Sequence, residues 1–118
     1  MNYLLLMYMQ EAPGIGVDAS DEEVLHCAYP VVEQTSASGH YRAAGVLRPT
    51  STATSVRMRE GQRLVTDGPF AETREQLAGY LLINAKNLDE AIAIAGDHPA
   101  AQAGTVEIRP VLVLPSAQ

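Results

Sequence analysis

A chain of 118 residues with 47% apolar side chains suits one domain around a single core, and 8 basic against 14 acidic residues leave a formal charge of −6. That acidic balance, with no tryptophan and one phenylalanine, excludes the basic surface and stacking platforms on which direct nucleic-acid binding rests. Cys27 is the sole cysteine, so no disulfide can form within the chain.

Residues 3–9 form a continuous apolar run of strand length, as a central strand covered on both faces requires. The opening run has no basic leader and no small-residue cleavage site, and it is too short to span a bilayer; the expected location is the cytoplasm, away from membranes. Residues 10–19 hold Pro13, Gly14 and Gly16 and read as a loop. Ser20 and Glu23 make a capping box, and Val24, Ala28, Val31 and Thr35 follow at helical spacing. Pro30 falls inside that pattern, where it removes an amide donor and crowds the carbonyl of His26; a kink, or two segments meeting near Tyr29, is expected.

Residues 45–47 read as a short strand stopped by Pro49. Residues 54–59 alternate, with Val56 and Met58 facing one way and Arg57 and Arg59 the other, and residues 62–66 pair back across Glu60-Gly61 as a hairpin. The next stretch, residues 65–80, holds the chain's densest polar run. Gly68 reaches backbone angles other residues avoid and Pro69 restricts it, so the turn presents Asp67 in a nearly fixed direction, ahead of Glu72, Thr73, Arg74, Glu75 and Gln76. Such a mounting serves a binding carboxylate, and it serves an ordinary turn equally well.

Residues 79–84 are a second buried strand. Asn87 and Glu90 open a second helix, with Leu88, Ala91, Ile92 and Ala95 on one stripe and Gly96 and Pro99 closing it. After an alanine-rich link, residues 105–109 alternate as a last strand, with Glu107 and Arg109 turned away from Val106 and Ile108. The order is that of an α+β, ferredoxin-like βαββαβ fold with an extra β-hairpin. Two helices cover one face of such a sheet, and the other face needs a partner, which predicts a homodimer packed sheet to sheet.

The run Asp67-Gly68-Pro69-Phe70-Ala71-Glu72-Thr73, with Glu75 two places on, resembles the signature of the DGPF proteins within the YCII-related superfamily. The likeness extends over residues 42–47, 53–91 and 104–111 and the opening strand, so residues 1–118 are identified as a single YCII-related domain. The resemblance implies a dimeric ferredoxin-like α/β barrel. It also implies an association of some members with extracytoplasmic-function sigma factors, and it supplies no reaction. In related barrels that act on small molecules a His and an Asp are the suspected pair. The His position falls near Ala28, two residues from His26, and the Asp position falls on His98, next to Asp97.

Asp67 and His98 are therefore the candidate catalytic residues, since a histidine moves protons near neutral pH and a carboxylate orients it. Glu72, Arg109 and His26 are the candidate substrate-binding residues, while His40 is expected at the surface. Arg57, Arg59 and Arg63 offer an anion-docking face or a plain solvated one. Cys27 lacks a basic neighbour to activate it, and no metal-ligand spacing, P-loop or dinucleotide fingerprint occurs; neither metal nor cofactor is expected. Two functions of different class follow. One is a lyase or isomerase that binds a small polar molecule in a cleft near the Asp67 loop and works by acid–base chemistry. The other is a non-catalytic dimeric module that binds a ligand or a regulatory protein.

Overall fold

The computed structural model describes residues 1–11 and 19–115, so most of the loop expected over residues 10–19 lies outside the described residues. In chain order the elements are β1 (Asn2–Met9), α1 (Asp21–Ala37), β2 (Tyr41–Val46), a 3-10 turn (Thr50–Thr52), β3 (Thr54–Arg59), β4 (Gln62–Asp67), β5 (Gln76–Asn84), α2 (Leu88–Asp97), α3 (Ala100–Ala103) and β6 (Thr105–Pro110). Four strands form one antiparallel sheet in the order β2-β5-β1-β6, and β3 and β4 form a separate two-stranded ribbon. This α+β arrangement is consistent with the ferredoxin-like fold expected above.

Both helix starts are set by local chemistry. Ser20 Oγ accepts from the Glu23 amide at 3.2 Å, and Asn87 Oδ1 accepts from the Glu90 amide at 3.0 Å. Asp21, Glu22 and Glu23 crowd the first turn of α1, where the helix dipole favours negative charge. Of the two alternatives expected at Pro30, two separate segments do not occur: α1 runs from Asp21 to Ala37 with the proline inside it. A proline costs the ladder one rung, and here Pro30 and His26 are both exposed, so the carbonyl it frees can meet water. The strand expected at residues 45–47 begins earlier, at Tyr41. A register shift at Arg42 hid its start from the alternation, and the Leu47 amide continues the pairing to the Ala78 carbonyl at 2.8 Å. The alanine-rich link contains the one-turn helix α3.

Register divides the sheet cleanly. Tyr3, Leu5 and Met7 of β1 and Leu81 and Ile83 of β5 face the helices and are buried, and Ala91, Ala95 and Ala100 bring α2 and α3 close above them. Leu5, Leu81 and Ile83 are almost entirely removed from water and anchor the core. The opposite face presents Leu4, Leu6, Tyr80 and Leu82, with Glu107 paired opposite Leu6 and Arg109 opposite Leu4. Among the described residues no helix covers that face.

The ribbon matches its sequence reading closely. Glu60 and Gly61 both adopt positive φ, 51° and 75°, the geometry of a two-residue hairpin turn whose twist suits its strands. Val56 faces Val65 and Met58 faces Arg63 across the ladder, so Arg63 shares the apolar side while Arg57 and Arg59 take the other. Arg63 therefore lies on the opposite side of the ribbon from Arg57 and Arg59, and the three do not share one flat face.

Candidate functional site

Two concavities border the sheet, one on each face. The helix-side cleft encloses about 230 Å³. Its walls are Val31, Gln34, Thr35 and Ser38 of α1 and its cap, His40, Ile94 and Asp97 of α2, and His98, and Leu81 of β5 forms the floor. The half of each helix that turns apolar residues to the sheet also turns these polar groups to the cleft. Thr35 is buried and satisfied, its hydroxyl donating to the Val31 carbonyl at 2.7 Å.

His98 caps the end of α2, and its amide donates to the Ala95 carbonyl at 3.1 Å. Its ring Nδ1 accepts from the Ala100 amide at 3.0 Å. That bond assigns the neutral tautomer with the proton on Nε2. Burial holds the His98 pKa below its ordinary value of 6.5, which keeps the ring neutral. A neutral imidazole fixed this way is a hydrogen-bond donor to whatever sits beside it, and it has no free lone pair for a base. Asp97 supplies a carboxylate in the same walls.

His40 is not at the free surface expected of it. Its Nε2 lies 2.9 Å from Glu90 Oε1 and its Nδ1 lies 2.7 Å from Ser38 Oγ, which ties the start of β2 to the first turn of α2. The Glu90 carboxylate also accepts from the Lys86 amide at 3.1 Å. Chiefly that backbone bond holds the Glu90 pKa below its ordinary value; burial opposes it, and the His40 hydrogen bond and charge add to the lowering.

The second concavity opens on the bare face of the sheet, with a volume of about 510 Å³ between Tyr8, Glu75, Thr105 and Glu107. The Tyr8 hydroxyl donates to Glu107 Oε1 at 3.1 Å, and the Thr105 hydroxyl donates to Glu75 Oε1 at 2.8 Å. Arg109 stands 3.8 Å from Glu107 Oε2, exposed and loosely paired. Partial burial and the adjoining carboxylate raise the Tyr8 pKa above its ordinary 10.0, so the phenol keeps its proton.

The five sequence-predicted residues are distributed as follows. His98 lines the helix-side cleft, and Arg109 flanks the open concavity. Asp67 is exposed at the end of β4, opposite Thr54, and Glu72 is exposed in the loop beyond it; neither lines either concavity. His26 is exposed on α1. The loop does reach a concavity, but through Glu75. Among the described residues no group of three or more His, Cys, Asp or Glu side chains has the arrangement of a metal site. Among the described residues no helix is long and apolar enough to cross a membrane.

An antiparallel sheet with helices packed on one face defines a small α+β domain. The YCII-related domain model matches residues 1–115, and the chain belongs to that family. It is similar to an uncharacterised protein of Rhizobium meliloti (strain 1021), with 36% identity over 114 residues that cover 94% of this chain and 92% of the relative.

Proposed function

We propose that this member of the YCII-related family, of its DGPF branch, is a homodimer that binds a small polar molecule in the helix-side cleft. The observation that carries the reading is His98, a neutral imidazole held by the Ala100 amide in a cleft that it shares with Asp97. At about 230 Å³ the cleft is smaller than the ~300–1,000 Å³ of pockets for drug-sized ligands. It suits a compact molecule with an apolar body against Leu81, Val31 and Ile94 and a carbonyl or carboxylate that accepts from His98 Nε2. A carbonyl polarised by that donor, with Asp97 to take the proton beside it, is the arrangement an isomerase or lyase needs. The test is a thermal-shift screen of compact keto acids and enones against wild type, His98→Gln and Asp97→Asn. A compound that stabilises wild type and not His98→Gln supports the reading; compounds that stabilise both equally overturn it.

The second reading is the non-catalytic module, and one observation favours it: Asp67 and Glu72 are exposed and do not line the cleft that His98 lines. In that reading the Asp67 loop is a docking surface for a ligand or a regulatory protein, of the kind an extracytoplasmic-function sigma factor represents. Asp67→Asn is its test, because the substitution removes the charge and keeps the shape. Binding of any such partner unchanged by Asp67→Asn would discard it.

A further inference from the structure

The β3–β4 ribbon has no reason, within one chain, to hold its place. Every residue of β4 is exposed, as is every residue of β3 except Ser55 and its half-buried side chain. A lone two-stranded hairpin is marginal in water, and this one displays Val56, Met58, Leu64 and Val65. Its outer half also carries Arg57, Arg59 and Arg63, three of the chain's 8 basic residues. Against Glu60 and Asp67 they give residues 54–67 a net charge of +1, which leaves −7 on the remainder of a chain whose total is −6. Among the described residues none of the three arginines has a carboxylate within ion-pair distance.

The open concavity is the complement. Glu75 and Glu107 each have one oxygen engaged by a neutral hydroxyl, which presets the carboxylate and leaves its charge uncompensated apart from the loose contact with Arg109. Its Glu107 is paired opposite Leu6 on the bare face of the sheet. We propose that it receives the arginine-bearing end of the β3–β4 arm of a second copy of this chain. The occupant is chosen by charge: an arm of net +1 whose cations are unpaired meets a body of net −7 at a preset carboxylate pair. Guanidinium groups suit carboxylates whose remaining lone pairs are free. At ~3.3 Å per residue the six-residue strands reach about 20 Å from the body, enough to span onto a neighbour. Each copy then completes the other's site. The inference rests on the homodimer reading, and its test separates the two.

Sedimentation of the full chain is measured for wild type, an arm variant (Arg57→Glu, Arg59→Glu, Arg63→Glu) and a cleft variant (Glu75→Arg, Glu107→Arg), each checked for folding by far-UV circular dichroism. Wild type is expected to dimerise more weakly as salt rises, and each variant alone to lose tenfold or more in dimer affinity. Mixing the two variants is expected to restore a dimer, because both arm–cleft contacts in the mixed pair are again of opposite charge. A wild-type dimer unaffected by either reversal, or losses that mixing does not repair, would overturn the arm's placement and leave the dimer standing. A monomeric wild type would remove both.

Discussion

His98 is the residue on which the proposed function rests, and its pH behaviour follows from burial. Its pKa in the folded chain lies below the unfolded value of 6.5, so between the two the unfolded chain binds the proton more readily. Stability is therefore full above pH 6.5 and is lost as the pH falls below it. Denaturant unfolding of wild type from pH 7.5 to 5 is expected to show that loss, and His98→Gln to show less of it. Glu90 behaves in the opposite chemical sense. Its folded pKa is lowered, so its contribution is present above the ordinary value of 4.5 and disappears as pH falls through the folded value. Glu90→Gln is expected to lower the melting temperature at pH 7 and to differ little from wild type near pH 3. His40 and Glu90 are 50 positions apart, and no periodicity or cap motif pairs residues at that distance. The same holds for Glu75 and Thr105, 30 positions apart. His98 was singled out through the family resemblance, and no local pattern announces the Ala100 amide that fixes its tautomer.

Elements were legible wherever a local rule governed them. The Ser20 and Asn87 caps, the Glu60-Gly61 hairpin turn and the placement of Glu107 and Arg109 away from the core all follow from nearest-neighbour chemistry. Pro30 shows a local rule losing to the whole helix: a single missing donor on a wet face does not break seventeen residues of ladder packed through Val31 and Thr35. The turn after β4 supplies an element-level test. Gly68 has φ of 98°, its amide donates to the Ala53 carbonyl at 2.7 Å, and its carbonyl accepts from Ser55 Oγ at 2.8 Å. A Cβ there meets nothing within 4 Å, so Gly68→Ala carries only the backbone penalty. It is expected to destabilise the chain by about 1 kcal/mol in denaturant unfolding. Asp67→Asn, one residue earlier, is expected to leave the unfolding midpoint unchanged, since asparagine serves the same turn.

At the scale of the molecule, one sheet face is finished and the other is not. The helix-side face buries Leu5, Leu81 and Ile83, while Leu4, Leu6, Tyr80 and Leu82 lie on a face that no described helix covers. That unfinished face and the unsupported ribbon make the homodimer an expected property of the folded chain. Sedimentation at micromolar concentration is expected to give about twice the 12.6 kDa chain mass, and a stable folded monomer there would contradict it. The bare sheet face lies opposite the helix-side cleft, so ligand binding and the proposed dimerisation can be measured independently. The most direct measurement of the central claim is an amide-resolved NMR titration of the dimeric full chain with the strongest compound from the thermal-shift screen. The account predicts shifts concentrated at Gln34, Ser38, His40, Ile94 and His98, and their disappearance in His98→Gln. Shifts that centre on Asp67 and Glu72 instead, or that survive unchanged in His98→Gln, would contradict it.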